Sequence, residues 1–331
     1  MPSNARSEKL IAKRLKFRDL QVLSAVAQSG SMAKAAAQLG VTQPAVSEII
    51  AGLEHMFAVR LFDRSPRGVV PTTFGGALLK RSVVVFDELK QSIRDIEFLA
   101  DPTAGELKIG CPESISAILA PVMETFCRQY PRVVLHVEQV DNRTLELAEL
   151  HNRRTDLVLG HFALSSSDDQ LFDNLNVEVL FDDPVVVVAG MRSQWARRRK
   201  INLAELVNEP WILGTPGSWP NRIVSDAFRA RGLSEPKISL MTISVHLRAD
   251  MVASGHFITT FPSSVVHFHS NRLSLKALAM DFPVRPWPLA VITLKNRTLS
   301  PVVELFIQHV REFTTPMREG KRARTRSHSS Q

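Results

Sequence analysis

The stretch Ser31–Ile50, SMAKAAAQLGVTQPAVSEII, restricts what this chain can fold into more than any other. It divides at Gly40 into two short amphipathic patterns. Met32, Ala35, Ala36 and Leu39 share one face of the first. Val46, Ile49, Ile50 and Leu53 share one face of the second, which runs on to about Phe57. Gly40 can take the positive φ that ends a helix, and Thr42 can cap the next one. Pro44 falls in the first turn, where a missing N–H costs nothing. Two short helices meeting at a glycine turn form a helix-turn-helix, and Ala35, Ala36 and Ala37 suit a close crossing. The residues at the start of the second helix, Thr42, Gln43, Pro44 and Ser47, are then free to enter a DNA major groove.

An ordinary αα-hairpin would share this pattern, so the flanks decide. A helix from about Leu15 places Phe17, Leu20, Leu23, Val26 and Ala27 on a buried face, and Ser29-Gly30-Ser31 ends it. After the helix-turn-helix, Leu61–Arg64 and Val69-Val70 read as two strands around the turn Ser65-Pro66-Arg67-Gly68. This is a small wing, with Arg64 and Arg67 placed to meet phosphate or the minor groove. Charge follows the same division. Residues 1–72 carry ten Lys/Arg against five Asp/Glu, and residues 317–331 carry five against one. The rest of a chain with net charge +8 is then nearly neutral. Basic ends on a neutral body suit a polyanion-binding head joined to a domain with another task.

From Thr73 to about Ala100 the pattern is one long helix. Leu79, Phe86 and Ile93 recur every seven residues, with Leu89 and Ile96 three after the last two and Ser82 as the flaw. Such a helix spans roughly 40 Å, too long to bury its seam within a small head. A second copy of the chain would cover it, giving a homodimer that offers two reading helices to one duplex. Residues 101–105, Asp-Pro-Thr-Ala-Gly, break the helix as a hinge.

Strands and helices then alternate. Strands at Leu107–Gly110, Val133–Glu138 and Leu157–Gly160, with helices at Ile115–Tyr130 and Thr144–His151, make a βαβαβ unit and so a parallel sheet. A second α/β region holds strands at Val185–Ala189, Trp211–Leu213 and Phe257–Phe261, and helices at Leu203–Val207, Asn221–Arg231 and Val245–Ser254. Strand Leu289–Leu294 and helix Val302–Phe313 return to the first sheet. The expected division is a flexible extension 1–14, a DNA-binding head 15–72, a linker helix 73–100, a hinge 101–105 and a two-lobed body 106–316. Lobe I takes 106–163 and 267–316, lobe II takes 164–266, and 317–331 is expected to be a disordered basic tail.

Other classes are disfavoured. At 331 residues the chain suits two or more domains, and it has no apolar run long enough for a membrane span and no secretion signal. With two cysteines it carries no disulfide framework, and a cytoplasmic location is expected. There is no G-x-S-x-G, P-loop, G-x-G-x-x-G or H-E-x-x-H. His267 and His269 lie two apart without the cysteines or acids of a metal site. No catalytic residue, metal or cofactor is expected. An architectural DNA-packaging protein, the alternative function, would share the head but needs no cleft. A solute-binding protein would share the body but needs export and no head.

Residues Leu15 to Thr72 resemble the LysR-type transcriptional regulators. The matching residues are Phe17, Leu20 and Leu23; Gly30-Ser31 with Ala35-Ala36 and Leu39; Thr42-Gln43-Pro44-Ala45-Val46-Ser47; Ile50; Leu53-Glu54; Leu61-Phe62 and Arg64; and Pro71-Thr72 with Gly75. Glu48 departs from the pattern, standing where many members carry a basic or neutral polar residue. The resemblance implies a winged helix-turn-helix, a dimerising linker helix and an effector domain of the type 2 periplasmic-binding fold. It also implies tetramers built from two kinds of dimer. By position it gives Thr42, Gln43, Pro44 and Ser47 to the groove, Ser31 to the backbone, and Arg64 and Arg67 to the wing. The expected partners are double-stranded DNA, a small effector, further copies of the chain and RNA polymerase.

In that fold a ligand lies between the lobes against helix N-termini, whose free N–H groups favour a carboxylate or other anion. Ser114 and Ser116 follow the first strand. Thr215, Ser218 and Trp219 precede the Asn221 helix, and Thr242 and Ser244 precede the Val245 helix. His161, Phe162 and Phe261 complete the candidate effector set.

Overall fold

A computed structural model describes residues 15–65, 68–140, 147–161, 173–284 and 287–328. The extension 1–14, Arg67 and Phe162 lie outside the described residues. Two compact units divide at residue 90, Met1–Lys90 and Gln91–Gln331.

The first unit opens with α1 (Phe17–Ser29), α2 (Met32–Leu39) and α3 (Gln43–Phe57). Gly30 and Gly40 end the first two at φ 63° and 65°, a left-handed conformation that glycine adopts without a Cβ clash. Ser31 caps α2 through Lys34 N, and Thr42 caps α3 through Ala45 N, both at 3.4 Å. Val22, Leu23, Val26, Met32, Ala35, Ala36, Val46, Ile50 and Leu53 meet in one core. Phe17 does not join it. It stands in the first turn of α1 and is 56% exposed, while Val22 and Ala25 fill the core face instead.

The hairpin β1 (Phe62–Ser65) and β2 (Gly68–Pro71) follows, then α4 (Thr73–Ala100), which runs unbroken through residue 90. Six hydrogen bonds fix the hairpin. Glu54 Oε1 accepts from Leu61 N at 2.8 Å and Phe62 N at 3.3 Å. Val69 N donates to Gly30 O at 2.9 Å. Thr72 donates from N to Leu61 O and from Oγ1 to Arg60 O, while Gly75 N donates to Thr72 Oγ1. A Cβ on Gly75 would stand 2.0 Å from Leu61 O, so α4 approaches this main chain as closely as only glycine permits.

In the second unit, lobe I is a sheet of order β4-β3-β5-β12-β6: β3 (Ala104–Cys111), β4 (Arg132–Gln139), β5 (Leu157–His161), β6 (Leu175–Asp183) and β12 (Trp287–Leu294). Here β3 runs parallel to β4 and β5, while β12 is antiparallel to β5 and β6. α5 (Ser116–Gln129), after a 3₁₀ turn at Glu113–Ile115, packs with α10 (Pro301–His328) on this sheet through Phe126 and Phe306. α6 (Ala148–His151) precedes β5. Lobe II is a sheet of order β11-β7-β10-β8-β9: β7 (Val185–Gly190), β8 (Trp211–Leu213), β9 (Ile238–Met241), β10 (Ile258–Pro262) and β11 (Leu275–Ala277). α7 (Trp219–Ala230), α8 (Val245–Ala253) and α9 (Ser263–Leu273) complete it.

Two boundaries differ from the sequence reading. Residues 175–183 belong to lobe I, because β6 pairs along the length of β12 and buries Leu175, Leu180 and Phe181 there. Lobe II in turn keeps α9 and β11, since β11 pairs with β7. The tail also differs, for α10 continues to His328. Val302, Val303, Phe306, Ile307 and Val310 anchor its first turns in the core. The stretch beyond Met317 is rich in arginine, a good helix former whose charge suits a helix C-terminus.

Candidate functional site

The head offers one polar helix face. Thr42, Gln43, Pro44 and Glu48 are exposed and Ser47 is half-buried, while Val46, Ile50 and Leu53 point into the core. The outward face continues through Ala51, Gly52 and His55. Gly52 has nothing within 4 Å of where a Cβ would stand, so no packing among the described residues calls for its smallness. Arg64 is exposed on β1 opposite Val69, one pair before the turn of the hairpin.

The linker helix behaves in two ways. Leu79 packs with Leu78 against the head core, so it is not part of a free seam, and Phe86 is half-buried. Ser82 is buried and donates to Leu78 O at 2.8 Å. Further along, Val85, Leu89, Ile93 and Ile96 form a solvent-facing stripe at helical spacing, with Ile96 67% exposed. At the far end Arg94 Nη1 lies 3.2 Å from Asp156 Oδ1. That buried carboxylate also takes Arg297 Nη2 at 2.8 Å and Lys108 N at 2.9 Å. The end of the linker is thereby tied to the foot of β5.

In the body the strand ends of the two lobes face one another. Glu113, just past β3, accepts from Val245 N and His246 N at the start of α8 in lobe II, each at 3.0 Å. Thr242 N in turn donates to Leu213 O at the end of β8, and Asn221 Nδ2 reaches Gly214 O at 3.4 Å. The loop 214–218 therefore borders the same cleft. Both of its hydroxyls, Thr215 Oγ1 and Ser218 Oγ, are buried and have no hydrogen-bond partner among the described residues, a state shared elsewhere by Thr155 Oγ1 and Ser300 Oγ. Ser218 stands at the N-cap of α7, yet its side chain makes no cap bond, and Trp219 is the first helical residue.

The other candidates divide. Ser114 is half-buried in the 3₁₀ turn and Ser116 is exposed at the start of α5. Thr242 Oγ1 accepts from Ser244 N at 3.2 Å in a local turn, and Ser244 Oγ caps α8 by accepting from Leu247 N at 3.3 Å. Phe261 must be withdrawn from the ligand set: it is 1% exposed in a core cluster, beneath the Arg248 guanidinium at 4.6 Å. His161 is buried at the end of β5, bonded to Asp183 Oδ2 at 3.0 Å and stacked on Trp287. Asp183 ends β6, where the chain crosses to lobe II, and also accepts from Ser263 Oγ, Ser264 N and Ser264 Oγ. Burial would raise the Asp183 pKa, but His161 and the serine hydroxyls outweigh it and hold the carboxyl below its ordinary value. His161 is thus a fixed part of the crossing between lobes.

Sequence reasoning missed Glu113, Asp183 and Asp156. Each carboxylate holds a partner far along the chain: Glu113 reaches Val245, Asp183 reaches Ser263 and Asp156 reaches Arg297. No local pattern marks such a pairing. Among the described residues no cluster of His, Cys, Asp and Glu could hold a metal, and no helix is long and apolar enough to cross a membrane.

Comparison with known proteins agrees with this architecture. Residues 17–76 match the model of the bacterial regulatory helix-turn-helix protein, lysR family, and residues 100–315 match the LysR substrate binding domain. The HTH-type transcriptional regulator GbpR of Azospirillum brasilense is 26% identical over 289 residues, 87% of this chain and 83% of that protein. TdcA of Escherichia coli is 26% identical over 302 residues, 91% of this chain and 94% of that one. Among solved structures, CbnR superposes at a TM-score of 0.60 with 18% identity, covering 91% of this chain and all of that one. A full-length OxyR variant from Pseudomonas aeruginosa gives 0.63 with 20% identity, covering 91% and 95%. The chain belongs to the LysR family of transcriptional regulators, with a DNA-binding helix-turn-helix and an effector-binding domain.

Proposed function

We propose that this regulator reads a two-fold operator through Thr42, Gln43, Pro44 and Ser47 of paired heads, held to the backbone by Ser31 and by Arg64 and Arg67 of the wing. In this reading the stripe Leu89–Ile93–Ile96 joins two protomers, and higher assembly to a tetramer follows from contacts of the bodies. RNA polymerase is the partner met at the promoter. The effector is a small anionic or hydroxylated metabolite seated on the N-terminus of α7.

The observation that carries the effector assignment is the pair of orphaned hydroxyls, Thr215 Oγ1 and Ser218 Oγ. A buried hydroxyl without a partner costs about 1–3 kcal/mol, so a loop that keeps two of them suits an external acceptor or donor. The adjoining helix end supplies partial positive charge, which favours an anion. Ser114 and Ser116 are the further hydroxyls offered to the ligand from lobe I, while Ser244 caps α8 and Thr242 holds the turn before it.

Ser218→Ala and Thr215→Val should each leave operator affinity unchanged and abolish the response of operator binding to the inducing metabolite extract. Unaltered responses in both variants would remove the seat from α7. Gln43→Ala should lose about 1–3 kcal/mol of discrimination between operator and random DNA in gel shifts. Equal loss on both sequences would contradict base reading by Gln43.

A further inference from the structure

The cleft has two helix N-termini in lobe II, and they are not equivalent. At α7 the cap hydroxyl is idle. At α8 every early donor is engaged: Val245 N and His246 N by the Glu113 carboxylate, Leu247 N by Ser244 Oγ, and Arg248 N by Ser244 O. Glu113 belongs to lobe I, so this carboxylate spans the cleft and sits where the carboxylate of a ligand would sit. Arg248, on the same helix, adds a positive charge that Glu113 offsets. It is buried and held by Thr259 Oγ1 at 3.1 Å and by Thr260 O, both of them neutral acceptors. Burial lowers its pKa to about 10, so it stays charged.

We propose that Glu113 is a specificity-determining residue: its carboxylate fills the α8 seat, so the cleft accepts an effector with one anionic group and rejects one with two. This rests on the reading that the effector lies in the cleft against α7. An effector with two anionic groups, one on each helix end, would have to evict Glu113 and leave its displaced carboxylate beside the ligand's own charge. An effector with one anionic group, seated on α7, meets no such competitor. The same contact ties lobe I to lobe II before any effector arrives.

The test uses the full chain and sodium sulfate as an anion probe, compared with sodium chloride at equal ionic strength. In Glu113→Ala the vacated α8 seat should bind sulfate. Melting temperature should rise by about 3–5 °C more than in the parent at ten times the dissociation constant. Glu113→Gln, which keeps the shape and one acceptor, should show a smaller gain in the same direction and serves if the alanine variant does not fold. A sulfate response equal to the parent's in whichever variants fold overturns the proposal. Ser218→Ala separates the two claims. If it removes the parent's own sulfate response, the α7 reading stands whatever Glu113 does. If it changes nothing while the Glu113 variants still gain, α7 is wrong and the role of Glu113 stands.

Discussion

Two glycines show how far single residues decide this fold. Gly75 faces Leu61 O, where a Cβ would stand at 2.0 Å, whereas Gly52 on α3 faces open space. Gly75→Ala should therefore destabilise the head by about 3 kcal/mol, through main-chain displacement at the hairpin. Gly52→Ala should stabilise it by about 0.5–1 kcal/mol, the helix-propensity difference, and weaken operator binding by crowding the groove-facing side. Melts of the two variants beside operator gel shifts would check both. A stabilised Gly75→Ala would contradict the packing, and an unchanged operator affinity for Gly52→Ala would detach that face from DNA. At this scale the sequence is most legible where the chemistry is local. The caps at Ser31 and Thr42 and the left-handed turns at Gly30 and Gly40 follow from residue type and spacing alone. The carboxylate of Glu113 is illegible, because its meaning depends on a helix 132 residues away.

Among the elements, α4 carries the sharpest contrast. Its first third is committed to the head core through Leu78 and Leu79, and its far end is clamped at Arg94. Between and beyond these, Val85, Leu89, Ile93 and Ile96 are left to solvent. The seven-residue period marks the helix and its length correctly, but it also counts Leu79 as seam. A periodic pattern records which residues share a face and not which neighbour arrives to cover it. Ile93→Asp should convert the protein to monomers at micromolar concentration in sedimentation while leaving the far-ultraviolet spectrum unchanged. A dimer that survives this substitution would place the interface elsewhere. Elements read from alternation behave the same way. β3, β4, β5 and β8 are legible as apolar runs, whereas nothing in the residues of β6 says which sheet it joins.

For the whole molecule, the passage between lobes turns on Asp183. Its carboxyl is held below its ordinary value of 3.8, with burial opposing and His161, Ser263 and Ser264 prevailing. A lowered pKa favours the charged form in the folded state, so its contribution is complete above about pH 4 and is lost as pH falls through the native value. Asp183→Asn should lower the melting temperature at pH 7, and the gap from the parent should narrow below pH 4. A gap that stays constant across that range would show that the charge of Asp183 does not matter to the fold. β5 adds something to this arrangement. It is a five-residue strand, roughly 17 Å long, whose top ends in the His161 crossing and whose foot adjoins the carboxylate that grips Arg94. A pleated strand hydrogen-bonded on both edges barely stretches. The His161 crossing at its top and the Arg94 clamp at its foot are therefore held at a nearly constant spacing.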